Sequence, residues 1–411
     1  MTRCYSCTTM PSAPNSTTTC CIVGGGPAGI MLGYLLARQG IDITVLEKHR
    51  DFFRDFRGDT IHPSTLELLH ELGILDAFLA LPHQELTELA IAVGGRKMTM
   101  ADFTHLPTRA KFIALMPQWD FLNFLSSEAI KLPSFHLLME HEVTGLIESN
   151  GRVTGVRANA PAGPVEIRAS LVVGCDGRHA TTRASAHLPV HDTGAPIDVL
   201  WFRLSRREGE PENALGNINY GEFLLLINRG DYFQSAFIIA KDSLSARIQP
   251  AGLPAFRESL VRLVPFLGDR VDEITNWDQL KLLSVQVNRL TRWYCDGLLC
   301  IGDAAHAMSP VGGIGINLAI QDAVAAARIL APALKSGRVT ELILAQIQRR
   351  RELPTRITQI FQIMIHYFLS RSLGKPDPIQ PPLPLRLLTP HLLFRRFMAR
   401  FIGIGIRPEH L

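Results

Sequence analysis

The sequence predicts an α/β protein: a Rossmann-type dinucleotide-binding domain, interrupted by a mostly antiparallel sheet and followed by a helical C-terminal region. Three observations predict it. An apolar run from Cys20 to Val23 meets a glycine cluster and then apolar residues at helical spacing. Two later apolar runs, Leu171–Val173 and Leu298–Ile301, each lead into a turn built of Gly and Asp. Between them, residues 191–285 change to strand-like alternation with few clear helices.

The first element reads as strand, turn, helix, strand: Cys20–Val23, the glycines, Ile30, Leu32, Leu35 and Leu36 on one repeat, then Gly40 and Ile41–Leu46. Pro63–Phe78 carries leucines at helical spacing, and a further helix is expected over Asp120–Lys131. Val143–Val156 and Val165–Val173 read as strands, with Asn150-Gly151 as a two-residue hairpin turn. In the middle block, Val199–Leu204, Phe223–Ile227 and Phe233–Ile239 are the expected strands, and an Ala-rich helix is expected from Ile314 to Leu334. The expected division is therefore a tail over 1–19, a discontinuous dinucleotide domain over 20–190 and 286–360, and a substrate sheet over 191–285 with part of 85–115. A helical region over 361–411, interrupted by six prolines from Pro376 to Pro390, completes it.

At 411 residues and 46% hydrophobic composition, the chain has enough apolar material for two connected domains. A net charge of +4, without long basic runs, gives no reason to expect nucleic acid as a partner. The uncharged stretch Cys20–Ala37 has membrane-spanning length, but its five glycines and proline suit a tight turn, so no integral membrane segment is expected. The Ser/Thr/Pro-rich start has no apolar core of a signal peptide, which makes the cytoplasm the default compartment. Cys4 and Cys7 form a C-x-x-C pair with Cys20 and Cys21 close behind, but they lack the spacing of a metal site, and no metal is expected.

The chemistry resides in three motifs. Gly24-x-Gly26-x-x-Gly29 follows a strand and opens a helix, with Glu47 ending the next strand. In such a unit the glycines allow a tight turn, backbone approach to a pyrophosphate and close helix–strand packing, and the acidic residue takes ribose hydroxyls. Whether FAD or NAD is held stays open on this motif alone. The second motif is Leu171-Val-Val-Gly-Cys-Asp176-Gly177-Arg178. The third runs from Leu298 through Gly302, Asp303 and His306 to Pro310, Gly312, Gly313, Gly315 and Asn317.

With these three in order, the chain from about residue 20 to 335 resembles the FAD-dependent aromatic hydroxylases of the para-hydroxybenzoate hydroxylase type, the class A flavoprotein monooxygenases. The resemblance implies a GR2-type Rossmann FAD-binding domain with an inserted substrate sheet. It also implies non-covalent FAD, NADPH or NADH as co-substrate, and O2, with hydroxylation of an aromatic or conjugated hydrophobic small molecule through a flavin C4a-hydroperoxide. Gly24, Gly26, Pro27, Ala28, Gly29, Glu47 and Lys48 would hold the adenosine half of FAD. Asp303 with Gly302 would hold the ribityl chain, and Asp176 with Gly177 would serve FAD and the nicotinamide nucleotide. Arg57 and Gln118 match positions near the flavin and its phosphates. Pro310, Gly312, Gly313, Gly315, Ile316 and Asn317 would bring backbone amides to the flavin edge. The family usually has Ser or Thr where this chain has Ala180, and Thr181 or Thr182 is the natural substitute.

Other residues carry no assigned role. His306 reads as structural or flavin-proximal. Arg203, Tyr232 and Gln234 lie on strands whose inner face is unknown, and no catalytic residue is assigned. Trp201, Phe202, Phe223, Phe233 and Phe237 read equally as pocket wall or sheet core. Cys295 and Cys300 have the spacing of a redox pair without its usual helix. Pro384–Ile406 mixes arginines with leucine, isoleucine and phenylalanine, as a membrane-surface segment does, although packing over the first domain is the expected role. A reductase or halogenase of the same fold, or a silent flavoprotein, are the alternatives, but the Trp-x-Trp segment of tryptophan-type halogenases is absent. A monomer or homodimer is expected.

Overall fold

A computed structural model describes residues 15–53, 60–210, 215–375 and 377–411. Cys4, Cys7 and Arg57 lie outside them. In chain order, the first half builds β1 (Asn15–Val23), α1 (Pro27–Ala37), β2 (Ile43–Leu46), β3 (Glu88–Val93), β4 (Arg96–Asp102), α2 (Gln118–Ile130), β5 (Phe135–Leu138), β6 (Glu142–Ser149), β7 (Arg152–Ala160) and β8 (Gly163–Gly174). The second half adds β9 (Ile197–Ser205), β10 (Leu215–Asn219), β11 (Glu222–Asn228), β12 (Tyr232–Ala240), α3 (Leu253–Leu263), β13 (Lys281–Ser284), β14 (Tyr294–Cys295) and β15 (Leu298–Cys300). The helices α4 (Ile314–Lys335), α5 (Glu341–Ser372), α6 (Leu383–Leu388) and α7 (Leu392–Gly403) end the chain.

The first sheet runs β14-β15-β8-β1-β2-β5, with β7 and then β6 added along the far half of β8. β1 is central and parallel to β2, β8 and, beyond β8, β15, so Cys20–Val23 are buried on both faces, as a parallel sheet covered by helices requires. The strand starts at Asn15, inside the stretch expected to be a tail. Asn15–Thr18 pair with Glu166–Ala169, a partner edge that a local reading of the Ser/Thr run does not reveal. Asn150 and Gly151 both take positive φ, the two-residue turn expected between β6 and β7.

The second sheet runs β13-β9-β12-β11-β10-β3-β4 and is antiparallel except where β10 meets β3. It thus recruits part of 85–115 as expected. Two expectations are corrected. The helix read over 63–78 breaks at Gly73, which sits at φ 75°, into Pro63–Glu71 and Leu75–Leu79. The 191–285 block also contains the amphipathic helix α3, which seals the outer face of the sheet through Phe256, Leu260 and Leu263.

The border expected at 360/361 falls within α5, which continues past Pro354. Among the described residues, one segment, Val311–Lys335, is apolar enough to cross a membrane, but 78% of its apolar window is buried in the fold, where α4 packs on α1. In α7, Met398, Ala399 and Ile402 are buried against the base of the second sheet, so the segment packs mainly on that sheet and not over the first domain as expected.

His62 joins these parts, its Nδ1–H donating to the carbonyl of Ile402 at 2.8 Å. Burial lowers its pKa from 6.5 to about 4. The unfolded chain therefore takes up this proton near pH 6.5 and the folded chain only near pH 4, so acidification across that window favours unfolding. Melting temperature should fall between pH 6.5 and 4, and His62→Gln should flatten that fall. An unchanged slope would assign the pH dependence to other groups.

Candidate active site

A single cavity of about 790 Å³ runs from the glycine turn after β1 to the inner face of the second sheet. At its polar end, Gly24 takes φ 103° and its N–H donates to the carbonyl of Leu46 at 2.8 Å. The carbonyl of Cys175 leaves no room for a side chain there. Gly26 faces open space, with nothing within 4 Å of where a Cβ would stand, so a ligand can lie against the backbone. α1 then starts at Pro27 with no side-chain cap, leaving its first amides and positive dipole end to the cavity. Glu47 ends β2 beside this turn, its carboxylate accepting from the Gly25 N–H at 3.0 Å and the His49 N–H at 3.1 Å.

The middle motif follows β8. Asp176 accepts from the Thr182 N–H at 2.9 Å and its hydroxyl at 2.6 Å, so Thr182 serves where Ala180 cannot. Burial raises the pKa of Asp176, and the Thr182 bonds offset this only in part. Two residues on, Arg178 reaches across the cavity and places Nη2 3.5 Å from the carboxylate of Asp303. This ion pair joins the second and third motifs, and Arg178 was not among the expected site residues.

The third motif is braced from behind. Gly302 sits at φ 58°, and its N–H donates to Asp322 at 3.2 Å. His306 is 2.5 Å from the same carboxylate, fully buried against Trp293, which is a structural role. Burial works to raise the pKa of Asp322, but His306 and Arg351 outweigh it and hold the carboxylate ionised.

The loop from Ala307 to Val311 is gripped by three buried side chains of α5. Gln359 donates to the Ala307 carbonyl, and Gln362 bonds the Ser309 N–H, the Ser309 carbonyl and the Val311 carbonyl. His366 meets the Ser309 hydroxyl at 2.7 Å. Gly312 and Gly313 then turn through positive φ, and α4 opens at Ile314, again without a side-chain cap.

Of the expected residues, Gly24, Gly26, Pro27, Ala28, Glu47, Lys48 and Gln118 line the cavity together with Asp176, Asp303, Pro310, Gly312, Gly313, Gly315 and Ile316. Gly29, Gly302 and Asn317 stand just behind it. Asn317 accepts from the His62 N–H and Thr65 hydroxyl and donates to the carbonyls of Thr60 and Gly313, a brace between loops.

The second sheet settles the aromatic residues. Trp201 and Phe223 line the cavity, whereas Phe202, Phe233 and Phe237 face α3 on the opposite side. Arg203, Tyr232 and Gln234 share the face of Trp201 but lie outside the lining, with Arg203 over the Tyr232 ring at 5.0 Å. Cys295 and Cys300 are free thiols, both pushed up by burial, which leaves no redox pair.

This arrangement has counterparts. The family described as FAD binding domain matches residues 17–360. The 6-methylpretetramide 4-monooxygenase of Streptomyces rimosus is 33% identical over 359 residues, 86% of this chain and 85% of that protein. A rifampicin monooxygenase of Streptomyces venezuelae is 27% identical over 74% of this chain, which spans 61% of that longer protein. Among solved structures, the anhydrotetracycline hydroxylase OxyS of Streptomyces rimosus superposes with a TM-score of 0.74 at 24% identity, covering 96% of this chain and 77% of its own. A dinucleotide cradle joined to an apolar chamber, on a chain matched along most of its length, makes this protein a member of the FAD-dependent aromatic monooxygenases.

Proposed function

We propose that this enzyme hydroxylates an uncharged, fused-ring aromatic compound, using NADPH or NADH as electron donor. The observation that supports this is the composition of the cavity beyond the flavin end. Its walls there are Val199, Trp201, Ile218, Leu225, Ile238 and their neighbours, and no charged side chain from the second sheet or from α5–α7 lines it among the described residues. A carboxylated substrate would lose its hydration in such a chamber with no cation to replace it. The first relatives act, by name, on 6-methylpretetramide and rifampicin, which supports a large ring system.

The residues present fit FAD. The Gly24–Gly26 backbone and the start of α1 would take the pyrophosphate, Glu47 the adenosine ribose, and Asp303 the ribityl chain. The amides at Gly313–Gly315, aimed by α4, would stabilise negative charge at the flavin edge. Bound there and reduced, FAD would supply the activation of O2, of which one atom is inserted into the substrate and the other leaves as water. The chain contributes an apolar chamber that excludes water and a loop held rigid by α5.

Two measurements test the reading. Turnover of NADPH and NADH should accelerate with neutral multi-ring phenols and give a product heavier by one oxygen atom. Stimulation by small aromatic acids alone would overturn the assigned substrate class. Glu47→Ala and Asp303→Ala should each purify folded with most of the flavin lost. Stoichiometric FAD in both would remove the proposed binding roles.

A further inference from the structure

Twelve of the eighteen exposed large hydrophobic side chains among the described residues lie between Leu342 and Phe397, although that interval is a small part of the chain. They are arranged in stripes. On α5, Leu353, Ile360, Met364 and Tyr367 recur at helical spacing, with Arg356 and Arg371 on the same stripe. α6 exposes Leu383, Leu387 and Leu388 beside Arg386. On α7, Leu393, Arg396, Phe397 and Arg400 share one face, with Leu393 80% and Phe397 65% exposed, while Met398, Ala399 and Ile402 hold the other face to the core.

Charge points to the occupant. Residues 378–408 contain five arginines and no Asp or Glu. Arg396 faces His105, at 3.3 Å, and the Asp102 carboxylate also acts on it, while Arg386 and Arg400 have no ion-pair partner among the described residues. A second copy docked by a twofold axis would set these arginines against their own counterparts. Exposed leucine and phenylalanine interleaved with unneutralised arginine is instead the pattern that binds the boundary between headgroups and acyl chains.

We propose that the exposed faces of α5, α6 and α7 form a docking surface for an anionic phospholipid bilayer. The surface adjoins the cavity: Met364 and Phe368 line it and are also exposed, and Leu385 of α6 lines it between exposed neighbours. Docking would therefore place the rim of the apolar chamber at the lipid boundary, where an uncharged aromatic compound concentrates. The placement rests on these faces and not on the reaction assigned to the cavity.

The test is flotation of the flavin-loaded full chain with vesicles of phosphatidylcholine alone or mixed equally with phosphatidylglycerol. Binding is expected with the mixed vesicles at low salt and loss with rising salt. Arg386→Ser/Arg400→Ser should weaken it about thirtyfold, and Leu393→Ser/Phe397→Ser should reduce it to background, both with flavin absorbance unchanged. The proposal falls if the folded parent chain does not float. It also falls if both double variants float like the parent, or if light scattering shows a dimer that Phe397→Ser separates, since the face then belongs to a second copy.

Discussion

Replacing Arg351 by methionine should destabilise the protein by about 3–5 kcal/mol, measured by urea denaturation of the flavin-free chain. Arg351 is fully buried, its Nε 2.9 Å from Asp322 and its Nη1 3.4 Å from Glu409 and 3.2 Å from the carbonyl of Arg407. Removing the guanidinium leaves Asp322 with His306 and the Gly302 N–H, and leaves Glu409 to Arg328 and Arg350 at the surface. Two carboxylates would then share an interior that has lost its central cation. The damage should reach flavin as well, since Asp322 braces the turn that carries Asp303. A loss under about 1 kcal/mol would mean that water replaces the guanidinium, which its burial argues against.

Gly29→Ala should have the second large effect, on flavin affinity more than on secondary structure. The glycine lies one turn into α1 with its α-carbon against the carbonyl of Gly24, and a methyl group there would collide with that oxygen and stand 3.3 Å from Ile22 Cγ2. Neither partner is a flexible side-chain end, so helix and strand must separate. The separation displaces the Gly24–Gly26 turn on which the pyrophosphate is proposed to rest, and FAD should be lost on gel filtration. Retention of stoichiometric FAD would show that the turn tolerates the shift. Gly40→Ala, where the new Cβ meets nothing within 4 Å but φ is 75°, serves as a control for strain alone.

What the sequence made legible is what lies close along the chain. The three motifs each combine strand, turn and helix within a few residues, and Thr182 stands near enough to Asp176 to be named from spacing. The Arg178–Asp303 pair joins residues from separate motifs, and the hold of Gln359, Gln362 and His366 on the Ala307–Val311 loop brings together residues some fifty positions apart. Such contacts depend on how the helices dock, which no local pattern encodes. The spacing that places Asn317 in the third motif does not show that its side-chain amide bonds four neighbours. The aromatic strands were ambiguous because alternation tells that two faces exist and not which one turns inward. Register resolved it: Trp201 pairs with Ala236 on the chamber side, and Leu200 with Phe237 on the other.

That division between two faces of one sheet bears on how such enzymes diverge. Leu200, Phe202, Leu224, Leu226 and Phe237 belong to a core shared with α3 that never touches the chamber, while Val199, Trp201, Leu225, Ala236 and Ile238 face the chamber. Alternate positions along the same strands therefore answer to different demands, one set to folding and the other to ligand shape. Substitution at the chamber positions can reshape what the enzyme accepts while leaving the cofactor cradle on the first sheet untouched. New specificities within this architecture are then reachable by single steps, each tolerated because the scaffold that supports it stands on the opposite side of the strand.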